Sequence, residues 1–155
     1  MDILKLIGRG SGLLNEDIKT KFGLEQKASK VKASSSHVGL YIGLNKSSKE
    51  LDLPKANFWI YPDNYDHDTN VNNFLNDPES EFPVVYISFP SAKDPDFENR
   101  FPGKSTIEII TVAPYEYFKK WEDTAWRKRG DEYLELKEKY SQRMLEKLYE
   151  FVPQV

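Results

Sequence analysis

HVGLYIGL, His37 to Leu44, alternates apolar side chains with others without a break. Val38, Leu40, Ile42 and Leu44 fall on one face, and His37, Gly39, Tyr41 and Gly43 fall on the other. A strict period of two marks a strand buried on one side. The second side is shallow, because two residues without side chains flank a tyrosine ring. Glycines inside a strand often mark the close approach of a ligand or of another backbone. The strand therefore needs a cover for its apolar side, and it offers the other side to something else.

The partners and the cover lie downstream. NFWIY (Asn57 to Tyr61), VVYISF (Val84 to Phe89, between Pro83 and Pro90) and STIEIITV (Ser105 to Val112, after Pro102-Gly103) read as three further strands. PDNYDHDTNVNNFLNDPES, from Pro62, reads as a long polar connection. PSAKDPDFENRFPGK, from Pro90, is too long for a tight hairpin and is expected to have a packed shape of its own. After Pro114 the period changes. Tyr133, Leu136, Tyr140, Met144, Leu148 and Phe151 recur at helical spacing through a segment dense in Glu and Lys, and Pro153 closes it. Upstream, Asn15 is placed to cap a short helix with Ile18 and Phe22 on one side and Gly23 at its end. KASKVKASSS, Lys27 to Ser36, is a polar lead into the first strand. The expected fold is α+β: a mixed or antiparallel sheet of about four strands, covered on one face by helices that include a long amphipathic C-terminal one.

At 155 residues the chain is expected to be a single domain over 1–155, able to bury one core without cross-links. It contains no cysteine, which removes disulfides, thiolate nucleophiles, cysteine-held iron–sulfur clusters and cysteine-containing zinc sites. Lys and Arg number 22 against 25 Asp and Glu, so no general attraction to nucleic acid is expected. No apolar run approaches the ~20 residues that span a bilayer, and MDILKLIGRG lacks a signal-peptide core. A cytoplasmic location follows as an expectation. Aromatic residues make up 14% of the chain, more than a small core requires, so some rings are free to face a ligand.

The chemical motifs are weak apart from these rings. LKLIGRGSGLL, Leu4 to Leu14, invites comparison with a dinucleotide loop, but its glycines are Gly8, Gly10 and Gly12, and Leu13 stands where G-x-G-x-x-G requires the third glycine. It reads as a flexible turn. Asp66-His67-Asp68 cannot aim three adjacent side chains at one ion from extended backbone, so a polar turn is expected there and no metal site. Ser88, followed by Phe89-Pro90, lacks the glycine-flanked elbow of a nucleophile. WEDTAWRKRG, Trp121 to Gly130, places two tryptophans beside three cations, a combination found at membrane surfaces, although tryptophans filling the core edge account for it too. Tyr41, Trp59, Tyr61 and Tyr86 all lie on the expected strands. With Gly39 and Gly43 they form the candidate substrate-facing set, a wall of rings suited to a long apolar ligand.

Three blocks carry a family resemblance: SHVGLYIGLN (Ser36 to Asn45), NFWIYPDNYDHD (Asn57 to Asp68) and the long stretch FPVVYISFPSAKDPDFENRFPGKSTIEIITVAPYEYFKKWEDTAW (Phe82 to Trp126). From about Ser36 onward the sequence resembles the middle portion of FAD-dependent oxidoreductases of the phytoene dehydrogenase, carotenoid isomerase and retinol saturase family. Members of that family are several times longer. They bind FAD through an N-terminal glycine fingerprint and a second C-terminal contact, neither of which can be found here. The resemblance implies a substrate-domain fragment, inactive and without cofactor alone, with FAD held by the remaining FAD-binding domain of the longer protein. It further implies flavin chemistry on a carotenoid-like or retinoid-like polyene: desaturation, saturation or isomerisation. No catalytic residue can be carried over. Peripheral membrane contact and self-association of the isolated domain are further expectations. The alternative is a stand-alone binding or interaction domain for an apolar ligand or protein partner.

Overall fold

The computed structural model describes residues 15–30 and 35–155. The expectations for Gly8, Gly10, Gly12 and Leu13, and for residues 31–34 of the polar lead, lie outside the described residues. Helix α1 (Glu16–Phe22) begins where the Asn15 side chain accepts the backbone N–H of Asp17 at 2.9 Å, and it ends at Gly23 with φ 56°. A second short helix, α2 (Leu24–Ala28), follows at once.

Four strands build a wholly antiparallel sheet: β1 (Ser36–Leu44), β2 (Asn57–Ile60), β3 (Val85–Ser88) and β4 (Ser105–Ala113). Their order is β1-β4-β3-β2. The longest pairing, of the edge strand β1 with β4, runs the full length of β1, from Ser36↔Ala113 to Leu44↔Ser105. Val85, Ile87, Ile107 and Ile109 are buried on one side, where Val38, Leu40, Ile42 and Leu44 join them, so the alternation seen in the sequence fixes which side the sheet presents to the core.

The cover on that side is the long helix α6 (Asp131–Phe151), through Tyr140, Met144 and Leu148. Tyr133 and Leu136 are half-buried. Phe151, the last residue of the helical series, is 49% exposed, and Val152, just past the helix, is fully buried. The backbone leaves the helix at Val152 (φ −137°), which swings that side chain under the last turn.

The connection after β2 is not simply polar loop. It contains helix α3 (His67–Asn76), whose first turn is capped by the Asp66 carboxylate accepting the Thr69 N–H at 3.1 Å. Phe74 on this helix is fully buried, and Asn70 exchanges two amide hydrogen bonds with Asn64. Asp66-His67-Asp68 is therefore a helix start. The stretch beyond α3 is pinned to α6 by Arg143, whose guanidinium donates to the carbonyls of Pro78 and Ser80 and lies 4.1 Å over the Phe82 ring. The proline-punctuated segment between β3 and β4 has a packed shape, with short helices α4 (Pro90–Lys93) and α5 (Phe97–Arg100). Ser91 of α4 joins it to the sheet, its hydroxyl accepting the Thr106 N–H at 2.9 Å. After β4 the chain makes two 3-10 turns, Tyr115–Tyr117 and Lys119–Trp121. They bring Trp121 into the core edge, edge-on to Tyr133 at 5.1 Å.

Candidate functional site on the open face of the sheet

With one side of the sheet committed to the core, strand alternation sends every other side chain to the opposite face. The register sorts these into rows. Trp59, Tyr86, Ile110 and Gly39 are successive partners across the four strands, and so are Asn57, Ser88, Glu108 and Tyr41. Neighbouring rows lie about 7 Å apart, the rise of two strand residues.

The first row is aromatic and apolar. Trp59 and Tyr86 pack with ring centroids 4.7 Å apart, and Trp59 remains 61% exposed. Gly39 would end this row as a gap, but the Tyr41 ring folds back over it: a Cβ at Gly39 would sit 3.1 Å from that ring. Tyr41 thus belongs by register to the second row and by its ring to the first. It is 74% exposed. A Cβ at Gly43 would meet nothing within 4 Å, and neither glycine lies in the left-handed region. Backbone conformation therefore does not require glycine at either position, and what the two residues provide is room above the sheet. Tyr61, immediately past β2, is half turned to solvent and meets the His67 ring edge-on at 4.9 Å.

The second row is polar. Lys93 of α4 reaches over β3, donating to the Ser88 hydroxyl at 2.8 Å and to the Asn57 side-chain oxygen. Ser88 is buried beneath it. Glu108 is half-buried next to Ser88 and has no side-chain hydrogen bond or ion pair among the described residues. The ammonium of Lys93 likewise enters no ion pair among them. All the sequence-derived candidates on strands (Gly39, Tyr41, Gly43, Trp59 and Tyr86) are brought to this one face. Sequence reasoning missed Asn57, Lys93, Glu108 and Ile110 on this face, and weighed Ser88 only as a nucleophile. The alternation of STIEIITV was a signal for Glu108 and Ile110, since residues between the buried isoleucines must face outward. Lys93 carried none, because its position depends on how α4 folds back.

The displaced pKa values lie elsewhere and have structural causes. Hydrogen bonds from the Ser47 hydroxyl and N–H hold the Glu50 carboxyl below its ordinary range. Those from Thr69 do the same for Asp66. Burial raises Tyr117 and pushes Tyr140 up to about 12. Among the described residues no group of His, Asp and Glu is placed to hold a metal ion. A cavity of about 760 Å³ lies away from this face, lined by Trp126, Arg127, Lys128, Leu134 and Lys137. It is wide open to solvent and its lining is dominated by the cations Arg127, Lys128, Arg129 and Lys137, so it suits an apolar chain less well than the sheet does. There Trp126 is 75% exposed with Arg127 stacked at 4.4 Å, so of the two tryptophans of WEDTAWRKRG only Trp121 fills the core edge. Among the described residues no helix is long and apolar enough to cross a membrane.

Among the described residues the open face offers rings, space, the Lys93 ammonium and the Glu108 carboxylate. No family model matches the chain, and no solved structure matches it. It is 32% identical over 151 residues to an all-trans-retinol 13,14-reductase of Danio rerio, a match covering 92% of this chain and 24% of that protein. The Homo sapiens all-trans-retinol 13,14-reductase is 30% identical over 137 residues, 86% of this chain and 22% of the relative. A second Danio rerio protein, named as an inactive all-trans-retinol 13,14-reductase, is 28% identical over 137 residues, 86% of this chain and 23% of its own length. The chain thus spans about a quarter of the length of these relatives. Over that quarter it is similar to all-trans-retinol 13,14-reductases, the retinol saturase group that the blocks beginning at Ser36, Asn57 and Phe82 resemble, consistent with a piece of an FAD-dependent oxidoreductase.

Proposed function

We propose that this chain is the substrate-binding domain of an FAD-dependent oxidoreductase acting on retinoid-like polyenes, and that it is inactive without the FAD-binding part of that enzyme. The observation that carries the reading is the open face itself. A row of Trp59, Tyr86, Ile110 and the Tyr41 ring spans four strands, about 14 Å at the usual strand spacing, and Gly43 leaves open space beside it. A flat conjugated chain matches a flat row of rings, because dispersion and ring contacts act along its whole length.

The described residues do not fit the role of holding FAD. Its pyrophosphate needs a glycine turn leading from a strand into a helix N-terminus. The junction from β3 into α4 is instead Phe89-Pro90, with proline at the first helical position and no side-chain cap. In this reading FAD is held by other segments and, when bound, supplies the hydride chemistry. This chain aligns the polyene and excludes water from one side of it. Left alone, the same face is an exposed apolar surface that favours self-association. Trp126 beside Arg127 and Lys128 supports peripheral contact of a cytoplasmic enzyme with a membrane.

The test is to express the protein from its complete reading frame and follow flavin absorbance and all-trans-retinol turnover together. Flavin-loaded protein that turns over the polyene is expected. Gly43→Phe, which fills the open space above β1, should keep the flavin and the fold while reducing turnover at least tenfold, the effect of about 1.4 kcal/mol of lost transition-state binding. Protein that carries no flavin yet binds apolar chains would establish the stand-alone binding domain instead. Undiminished turnover in the Gly43→Phe enzyme would remove this face from the site.

A further inference from the structure

Among the described residues the outer edge of β1 is unpaired, since β1 ends the sheet order and only β4 lies beside it. Natural sheets blunt such an edge with short strands, prolines, charges or bulges. β2, the opposite edge, follows that rule: it has four residues, and Pro62 stands just past its end. β1 has nine residues, SHVGLYIGL, with no proline, lysine, arginine or carboxylate, and its register with β4 runs from Ser36 to Leu44 without a bulge. Its apolar side is also unfinished. Val38, Leu40, Ile42 and Leu44 are only half-buried, whereas Ile107 and Ile109, paired with Ile42 and Leu40, are buried. A further strand at this edge must carry apolar residues at a period of two and a bulky side chain opposite each glycine. β1 itself meets both conditions when it is turned antiparallel about Leu40.

We propose that the edge of β1 pairs antiparallel with β1 of a second copy of this chain, about a twofold axis at Leu40, so that two four-stranded sheets join into one. In that register Leu40 faces Leu40, Val38 faces Ile42 and Ser36 faces Leu44, which closes the half-buried apolar row. On the open side Gly39 faces Tyr41 and Gly43 faces His37. Each glycine then lies opposite a ring, the arrangement that compensates for glycine in an edge strand. Neighbouring registers lose this match. About Tyr41 the two tyrosines meet and Gly39 faces Gly43, and about Gly39 glycine faces glycine; in both, the overlap shortens. Each copy thus lends its Tyr41 to the space above the other's Gly39. Nine residues a side make a small interface, so the association is weak and reversible. It uses the strand edge and not the open face, so it stands whether or not that face binds a polyene.

The chain contains no cysteine, so introduced cysteines report the register directly. Sedimentation velocity of the 155-residue chain should show a reversible monomer–dimer equilibrium. Under mild oxidation Leu40→Cys should link with its own copy, because residues opposite each other on paired strands lie about 4.5 to 5.5 Å apart, within disulfide reach. Val38→Cys should not, since its counterpart lies about 14 Å along the strand, but a mixture of Val38→Cys and Ile42→Cys chains should give the mixed dimer. Val38→Lys puts a charge where the second strand would bury it, and should weaken the dimer about tenfold or more while the circular dichroism of the monomer is unchanged. If that variant does not fold, the cysteine pattern decides alone. A chain that stays monomeric overturns the inference. So does a dimer that survives Val38→Lys, which moves the contact to the open face, and so does Val38→Cys linking as readily as Leu40→Cys. The Leu40→Cys oxidation is repeated in the protein expressed from its complete reading frame, against wild type. A new link between copies is expected there; its absence means that a segment of the longer protein occupies the edge, and overturns the inference too.

Discussion

Tyr140 shows what a single buried hydroxyl does to this molecule. Its ring is 2% exposed, packed beside Phe82 and Phe118, and its hydroxyl has no hydrogen-bond partner among the described residues. Burial, with smaller contributions from Tyr117 and Glu79 and against an opposing one from Arg143, raises its pKa from 10.0 to about 12. The folded state thus holds the phenolic proton more tightly than the unfolded state does. Its contribution to stability is intact below pH 10 and is lost as pH rises from there through about 12. Tyr140→Phe should therefore leave stability at neutral pH unchanged or raise it by up to about 1 kcal/mol, because an unpaired buried hydroxyl carries a desolvation cost. It should also flatten the alkaline loss. Urea unfolding at neutral pH and again above pH 10 checks both; a loss above about 1 kcal/mol at neutral pH would mean that the hydroxyl is bonded after all. Gly39 is a different case, since its missing side chain is filled by the Tyr41 ring. A period-two reading of HVGLYIGL sets Gly39 and Tyr41 side by side on one face, but not that the ring folds back over the glycine, which depends on the Tyr41 rotamer.

At the scale of elements, α6 carries the load that its sequence period announced. Leu148 is fully buried near the C-terminal end of the stripe, whereas Leu134, in the first turn of the helix, is 58% exposed. Leu148→Ala should cost about 2 to 5 kcal/mol and Leu134→Ala under about 0.5, read from denaturant midpoints; equal costs would place the helix in another rotation on the sheet. Val152→Ala should cost more than Phe151→Ala by the same reasoning, reversing the ranking by side-chain size. The strands and α6 were legible because each puts apolar residues at one strict period. Helix α3 was not. Its sequence is crowded with Asn and Asp, which favour turns, and only the Asp66 cap and the buried Phe74 outweigh that local preference. The candidate face was half legible. Rings and glycines on strands can be read from alternation, but Lys93 reaches Ser88 and Asn57 only through the turn into α4, a tertiary placement with no periodic signature.

Across the whole molecule the sheet order separates near neighbours in sequence from near neighbours in space. β2, β3 and β4 follow one another along the chain and pair in that order, whereas β1 comes first in sequence and joins the far edge of β4. To form Leu44↔Ser105, everything from Asn45 to Lys104 must close as a loop, including β2, α3 and β3. The closure entropy of so long a segment has to be met before the ladder repays it, so non-local strand pairing of this kind slows folding. The expected order of events is that β3 and β4 assemble first with their helices and β1 docks last onto a surface already formed. Ile87→Val, in the early part, should slow refolding, while Ile42→Val, in β1, should leave refolding unchanged and speed unfolding. Stopped-flow chevrons for the two variants decide it, provided that each lowers stability by more than about 0.6 kcal/mol. Equal slowing of refolding would put β1 in the nucleus. If β1 does arrive last, the strand bearing Gly39, Tyr41 and Gly43 is also the first part of the sheet to detach, and the half of the ring row that depends on Tyr41 opens and closes on the clock of one strand.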